Sequence, residues 1–232
     1  MGKKTSTKGK EKKWKRIQEN ETRKKGQDVV RRANACHGNL MDEETRDGTF
    51  THFPYENHTV HVKSYDACTL GQDRLEWAFQ ICKTNMKQLY ENVWGWDDAK
   101  KMDELNHENA RFLLACPDHR AEPIGYAHIR FEMEDSRHVL YVYELQVCAD
   151  AQGKGIGKLL MAAVETIAKK MDMAWILLTV LKENTGAVNF YYKLGYRLDD
   201  SSPGAVDPMG QYGYEILSKP CQSFGCVSKV DG

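Results

Sequence analysis

The sequence lacks the features that mark several large classes of protein. Its 232 residues hold no run near the ~18 to 20 consecutive apolar residues of a membrane span, and its amino terminus is basic where a secretory signal turns apolar. None of the seven cysteines belongs to a Cys-x-x-Cys pair or has a histidine at ligand spacing. We therefore expect a soluble intracellular protein with reduced thiols, no disulfide framework and no metal ion.

The formal net charge is zero, because 33 basic and 33 acidic residues balance. The balance hides an asymmetry: residues 1–32 carry thirteen Lys or Arg and four Asp or Glu, a net of +9, which leaves −9 on residues 33–232. The acidic body favours a cationic ligand. The basic arm suits nuclear import or an acidic surface such as nucleic acid, and a solvated, disordered tail is an equally open interpretation.

Hydrophobic periodicity predicts one α/β domain behind the arm. We divide the chain into a basic arm (1–32), a connecting segment (33–57), a domain (58–219) and a C-terminal tail (220–232). Strands are predicted over 58–65, 111–116, 123–132, 139–147, 174–180, 196–200 and 212–219. Helices are predicted over 72–90, 158–170 and 185–194, with a surface loop or a short helix in 91–108.

A glycine-rich loop lies between the strand "VLYVYELQV" and the helix "KLLMAAVETIAKK". The glycines of "QGKGIGK" stand one residue too close for a P-loop, and Lys158 takes the place of the third Rossmann glycine. The spacing does fit Q-x-x-G-x-G, from Gln152 through Gly155 to Gly157. Glycines let the backbone approach a ligand, and the amides of a helix start favour a pyrophosphate. A turn without a ligand stays open as the alternative.

Several segments together resemble a known superfamily. The loop, the strand "WILLTV" and the segment "NTGAVNFYYKLGY" are similar to the acetyl-CoA core of the GNAT acetyltransferases over roughly residues 58–219. Within it, "TNMKQLYENVWGW", "LYVYELQV", "LTVLKEN", "DDSSP", "YEIL" and the basic opening resemble the type D amino-terminal acetyltransferases, NatD. That family acetylates the α-amine of histones that begin Ser-Gly-Arg-Gly.

The resemblance implies a fold, a reaction and a setting. The fold would be the GNAT fold, an α/β architecture whose mixed, mostly antiparallel sheet is flanked by helices. Acetyl-CoA would be the co-substrate and histone tails the partner, with direct attack in a ternary complex and no acetyl-enzyme. It further implies a monomer in nucleus and cytoplasm that does not read nucleic acid directly. The alternatives are a GNAT acting on Lys side chains or small amines, and a histone-tail binding module without catalysis.

The chemistry is predicted to lie on the strand before the glycines. Glu144 is the candidate base, because a carboxylate inside an otherwise apolar strand is unusual, although it could instead face solvent. The resemblance assigns Tyr141 and Tyr143 to the peptide channel, with Tyr143 a proton donor to the leaving thiolate. In a regular strand the two tyrosines share one face and Glu144 takes the other. All three line one site only if a bulge intervenes, or if Glu144 acts through water.

The resemblance also assigns the cofactor contacts. Backbone groups of Leu145, Gln146 and Val147 would bind the pantetheine arm. The pyrophosphate would be held by the loop residues Gln152, Gly153, Lys154, Gly155, Ile156, Gly157 and Lys158. Asn184 matches a cofactor-contacting asparagine, and a helix N-cap is an equally good physical role for it.

The acceptor contacts follow from the same resemblance. Residues that match the peptide pocket are Tyr90, Trp94, Tyr141, Tyr143, Thr179 and Tyr214, although such side chains in helices and strands otherwise pack in a core. Glu132 and Glu134 share a strand face and would pair with the arginine of the substrate, or else form a solvated hairpin end.

One motif lies apart from the domain. The opening "MGKKTS" satisfies M-G-x-x-x-[ST], so Gly2 is a candidate for myristoylation and weak membrane association. Intact mass of the cell-made protein tests this prediction.

Overall fold

The described residues of the computed structural model, 7–38, 40–41, 53–56 and 58–221, form a mixed sheet with helices on both faces. The strands are β1 Phe53–Tyr55, β2 His58–Asp66, β3 Arg111–Pro117, β4 Gly125–Glu134, β5 Arg137–Val147, β6 Trp175–Leu181, β7 Arg197–Leu198 and β8 Tyr214–Pro220. The helices are α1 Thr7–Asn34, α2 Gln72–Glu91, α3 Asp98–Leu105, α4 Ile156–Lys170, α5 Thr185–Lys193 and α6 Pro203–Val206. These bounds confirm the predicted α/β class.

Strand pairing in the described sheet follows the order β1-β2-β3-β4-β5-β6-β8-β7. Every pair is antiparallel except β5 with β6, which run parallel because α4 crosses between them. The mixed, mostly antiparallel sheet flanked by helices is therefore confirmed.

Two apolar cores lie on opposite faces of the sheet. On one face, α4 presents a buried stripe that includes Leu160, Val164 and Ile167 to the sheet. On the other face, Phe79 of α2 packs with Phe112 and Tyr126. Sheet residues alternate between these cores, as the period of a strand requires.

The parallel pair β5 and β6 separates partway along its length. Pairing runs only from Val139 with Trp175 to Val142 with Leu178. Beyond these residues β5 continues to Val147 and stays paired with β4, while β6 stays paired with β8. Two neighbouring strands that diverge leave a backbone edge and a gap inside the sheet.

The amino-terminal arm is helical where the structure describes it, and its last turns rest on the sheet. Side chains of residues 11–25 are exposed, whereas Gly26 and Ala33 are buried. Asn34 donates from Nδ2 to the carbonyl of Phe131 at 3.1 Å. The solvated-tail interpretation is therefore wrong for the end of the arm. The arm has too few apolar residues at helical spacing for its contact with the sheet to be predicted from the sequence.

The connecting segment contributes to the fold. Its last part holds β1, which pairs with β2, so the sheet begins ahead of residue 58. Leu40 and Met41 are buried in the α4 core. A strand as short as "FPY" gives no periodicity, which explains why the sequence indicated mostly loop there.

Candidate active site

A cleft of about 520 Å³ opens where β5 and β6 diverge. Its walls come from α2, α3, α5, the end of β4 and the strands β5, β6 and β8. The predicted site residues that line it are Tyr90, Trp94, Glu134, Tyr141, Tyr143, Glu144, Leu145, Gln146, Thr179, Asn184 and Tyr214. One cleft thus collects most of the side chains that the sequence singled out.

A β-bulge in β5 brings the candidate catalytic side chains to the same face. Glu144 lies opposite His128 and Val142 lies opposite Ile129, so Tyr143 is an extra residue without an opposite partner. The bulge reverses the alternation after Val142. Of the two alternatives that the sequence left open for this strand, the bulge is confirmed, and it places the tyrosines and Glu144 on one face.

Glu144 sits at the floor of the cleft in a dense hydrogen-bond network. Its side chain is almost fully buried, and its Oε1 accepts from the Lys101 ammonium at 2.8 Å and from the Tyr90 hydroxyl at 3.3 Å. Its Oε2 accepts from the Gln146 amide at 2.7 Å. The solvent-facing alternative for Glu144 is therefore wrong.

Lys101 and Glu104 of α3 belong to this network and were not predicted from the sequence. The Lys101 ammonium also donates to Glu104 Oε1 at 2.7 Å. Burial opposes the charge of Lys101, but the surrounding acidic groups, led by the Glu144 carboxylate, together outweigh this cost and hold the pKa of Lys101 above its ordinary value. For the carboxyl group of Glu104 burial has the opposite effect, and it raises the pKa. In the sequence "AKKMDEL" these residues look like an ordinary charged helix face, so the pattern offered no signal.

The two tyrosines of β5 are held by hydrogen bonds on either side of the cleft. The hydroxyl of Tyr141 lies 2.5 Å from Thr179 Oγ1. The hydroxyl of Tyr143 donates to both oxygens of Glu132 at 3.0 Å. Burial raises the pKa of both phenols, and Glu132 raises that of Tyr143 further. Both therefore carry their protons at neutral pH, as a hydrogen-bond or proton donor must.

Glu132 is thus already engaged within the protein. Besides the Tyr143 hydroxyl it has Arg130 at 4.0 Å, and it does not line the cleft. Glu134 does line the cleft. Its pKa is raised, chiefly by burial and further by the negative charge of the neighbouring Glu132. Of the two carboxylates predicted to meet a substrate arginine, Glu134 is the one that borders the open space.

Aromatic rings and one hydrogen bond span the mouth of the cleft. The ring of Trp94, in the loop after α2, lies 5.1 Å from that of Tyr214 at the start of β8 and 5.3 Å from that of Tyr90. In the same loop, Asn92 donates to Glu183 Oε2 at 2.9 Å. The cleft is therefore bounded across the gap between the two halves of the sheet.

The glycine loop lies at the start of α4, at the end of β5. Gly155 is the N-cap of α4 with φ at 90°, a value that side chains rarely adopt, and a Cβ there would meet Phe53 at 2.9 Å. The first amides of a helix have no partner within it. Glycine backbone, free helix-start amides and the nearby Lys154 and Lys158 fit an anionic group such as a pyrophosphate.

The neighbouring cofactor candidates are placed consistently but are partly engaged. The carbonyl of Val147 accepts from the side chains of Asn85 and Gln152, at 3.2 and 3.1 Å. Lys154 pairs with Glu56 at 2.6 Å. Asn184 caps α5 by accepting from the amide of Ala187, which confirms the N-cap; it also lines the cleft, and its contact with the cofactor stays a prediction.

Other sequence predictions fall outside this site. Gly2 lies outside the described residues, so its lipidation stays a prediction. Among the helices that the structure describes, none combines the length and apolarity needed to cross a bilayer. The described part of the chain brings together one set of potential metal ligands, the exposed His58, Asp118 and His119. The expectation of a protein without metal stays a prediction.

Comparisons with known proteins define the class. Residues 74–196 match the acetyltransferase (GNAT) family. The chain therefore belongs to the GNAT acetyltransferases, and its diverging strands with the glycine loop form the GNAT fold. A curated relative, the mycothiol acetyltransferase of Renibacterium salmoninarum, is 33% identical over 97 residues. That match covers 41% of this chain and only 28% of the relative.

Solved structures share the fold at low sequence identity. The PaiA N-acetyltransferase of Thermoplasma acidophilum, solved in complex with coenzyme A, superposes with a TM-score of 0.52 at 18% identity, over 70% of this chain and 99% of that one. The ribosomal-protein-S18-alanine N-acetyltransferase of Escherichia coli gives 0.50 at 17% identity, over 72% and 97%. At these low identities, the similarities show a shared fold alone.

Proposed function

We propose that the protein transfers the acetyl group of acetyl-CoA to the α-amine of polypeptides, and that its acceptors are histones beginning Ser-Gly-Arg-Gly. The observation that carries the proposal is the placement of Glu144, buried at the floor of an aromatic cleft that opens beside a glycine-rich helix start. The segments that resemble the type D amino-terminal acetyltransferases supply most of that cleft, which supports the choice of acceptor.

The donor fits the described residues at two places. The glycine loop would hold the pyrophosphate, and the β5 edge from Tyr143 to Val147, which has no strand partner on the β6 side, would bind the pantetheine arm. Bound acetyl-CoA supplies the acetyl group as an activated thioester. The PaiA relative, with its bound coenzyme A, supports the same donor for this fold.

The chain's own residues would handle the protons. An α-ammonium has a pKa near 7.7–8.0, against roughly 10.4 for Lys, so a weak base suffices to neutralise it. Glu144 would accept that proton, directly or through one water, and Tyr143 would donate to the leaving thiolate. No cysteine of the described chain lines the cleft, and burial raises the pKa of Cys82, which favours direct attack over an acetyl-enzyme.

Acetyl transfer to short peptides that differ in their first four residues tests this function. We expect turnover of a Ser-Gly-Arg-Gly peptide, and at least tenfold lower kcat/KM when its arginine is replaced by alanine. A matched peptide with a blocked α-amine and a free lysine should stay unmodified. Undiminished acetylation of the blocked peptide would show a side-chain acetyltransferase, and tight peptide binding without turnover would show a binding module.

The cleft-lining carboxylate offers a second test of the acceptor. If Glu134 meets the substrate arginine, Glu134→Gln should raise KM for the Ser-Gly-Arg-Gly peptide and leave KM for acetyl-CoA unchanged. The same variant should discriminate less between the arginine and alanine peptides. Equal discrimination by both proteins would remove Glu134 from the acceptor site.

A further inference from the structure

A single buried ammonium lies between two carboxylates beneath the cleft. Lys101 Nζ is 2.8 Å from Glu144 and 2.7 Å from Glu104, and the side chain of Lys101 is only 7% exposed. A third contact, 3.2 Å to the Tyr90 hydroxyl, completes its surroundings. An ammonium has three donors, so each proton of Lys101 has an acceptor.

Four side chains donate hydrogen bonds to the Glu144 carboxylate. Oε1 accepts from Lys101 and Tyr90, Oε2 accepts from Gln146, and the Cys82 thiol adds a further bond. Lys101 is the charged donor among the four. Its ammonium therefore contributes most to holding the carboxylate, because charge-assisted hydrogen bonds are roughly twice as strong as neutral ones.

We propose that Lys101 is a positioning residue for acetyl transfer, whose ammonium compensates the buried charge of the Glu144 carboxylate and fixes its orientation beneath the cleft. This inference rests on the proposed function of Glu144 as the base. A buried carboxylate without a partner takes up a proton, because burial penalises its charge. A protonated Glu144 cannot accept the proton of the incoming ammonium.

Other groups also pack around Glu144. Arg130 of β4 is a second buried cation nearby, with its guanidinium 4.0 Å from Glu132 and 4.1 Å from the centre of the Tyr143 ring. From α2 come Tyr90 and the Cys82 thiol, and burial raises the pKa of both. From β4 come Tyr126 and His128; burial raises the pKa of the first and lowers that of the second. Both are therefore neutral. Tyr191 of α5 is neutral for the same reason, and Glu104 of α3 adds negative charge.

The pH dependence of kcat/KM in Lys101→Met tests the proposal. Without the ammonium, the buried site loses a positive charge 2.8 Å from Glu144, so the acid limb of the profile should move to higher pH by one unit or more. At pH 7 the loss should be about tenfold to a hundredfold, and it should shrink as pH rises. Lys101→Arg restores a cation and should bring the acid limb back.

A neighbouring lysine provides the matched control. Lys100 is exposed on the same helix, and Lys100→Met should keep the rate and the profile of the parent protein. A uniform loss in Lys101→Met at every pH, with the acid limb unmoved, would show a structural role and overturn the proposal. Glu104→Gln provides a second variant with the opposite expectation: it removes a negative charge 2.7 Å from Lys101, so the acid limb should move to lower pH.

A measurement without substrate separates this inference from the proposed function. The carboxyl carbon of Glu144 can be followed by NMR in protein with labelled glutamate, and the Glu144→Gln variant assigns its signal. We expect its chemical shift at neutral pH to change in Lys101→Met and to return toward the parent position in Lys101→Arg, even if the histone peptide proves to be the wrong acceptor. An unchanged chemical shift in Lys101→Met would overturn the role of Lys101 whatever the protein acetylates.

Discussion

At the scale of single residues, the proposed role of Glu144 as the base can be tested by one substitution. Glu144→Gln keeps the size of the side chain and removes its basicity. We expect kcat at neutral pH to fall by about a hundredfold or more, since general-base catalysis typically contributes 10²–10⁴-fold. Acetyl transfer to the Ser-Gly-Arg-Gly peptide at saturating acetyl-CoA measures the effect.

Glu108→Gln is the matched control for this substitution. Glu108 is exposed in the turn after α3, outside the residues that line the cleft, so its amide variant should keep kcat. Circular dichroism should show the same fold for both variants. An unchanged kcat in Glu144→Gln would remove Glu144 as the base and leave deprotonation of the α-amine to bulk water.

At the scale of elements, the bulge in β5 shows what the sequence can and cannot predict. Alternation within "VLYVYELQV" predicted the strand, and the order of strands and helices predicted the fold class. The bulge depends on the register against His128 and Ile129 of β4, which a single strand does not contain. The role of Lys101 could not be predicted for a similar reason, because its partner Glu144 lies 43 residues further along the chain.

The start of α4 offers a prediction at the same scale. Gly155→Ala forces a side chain into φ near 90° and places Cβ 2.9 Å from Phe53 Cζ. Gly153→Ala is the matched control, because Gly153 also has positive φ, at 73°, but no atom within 4 Å of the added Cβ. We expect Gly153→Ala to lower the free energy of unfolding by about 1 kcal/mol, and Gly155→Ala by more.

Both glycine variants should be measured by urea unfolding and by KM for acetyl-CoA. Because a displaced Phe53 or a shifted loop disturbs the amides at the helix start, Gly155→Ala should raise KM severalfold. Equal losses of stability in the two variants would mean that the contact with Phe53 adds nothing to the backbone strain.

At the scale of the whole molecule, buried carboxylates couple stability to pH. The hydroxyl of Thr69 lowers the pKa of Asp66 to about 2, although burial opposes the shift. A lowered pKa stabilises the folded chain above the unfolded value near 3.9, and this contribution is lost as pH falls toward 2. Asp66→Asn should therefore be less stable than the parent by roughly 2 kcal/mol at pH 7, with a difference that narrows below pH 4.

Urea unfolding between pH 7 and pH 2 measures this difference. Asp103→Asn, at an exposed position of α3, is the control and should follow the parent throughout. A gap between Asp66→Asn and the parent that stays constant down to pH 2 would assign the loss to packing rather than to ionisation.

The arm and the sheet are joined through the last turns of α1, which makes two truncations unequal. Removing residues 1–20 deletes side chains that are exposed over 11–20, so Tm should change by less than about 2 °C.

Removing residues 1–34 also takes away the carbonyl of Asn34, which lies 3.0 Å from a guanidinium nitrogen of Arg111. Arg111 is only 2% exposed. Hydrogen bonds to charged groups contribute about 1.5–3 kcal/mol each, and the burial of Ala33 is lost as well. The longer truncation should therefore lower Tm by at least about 3 °C in calorimetry, at 2–4 °C per kcal/mol for a chain of this size. Equal Tm values for the two truncated proteins would show that the arm stabilises the sheet no more at its end than along its exposed length.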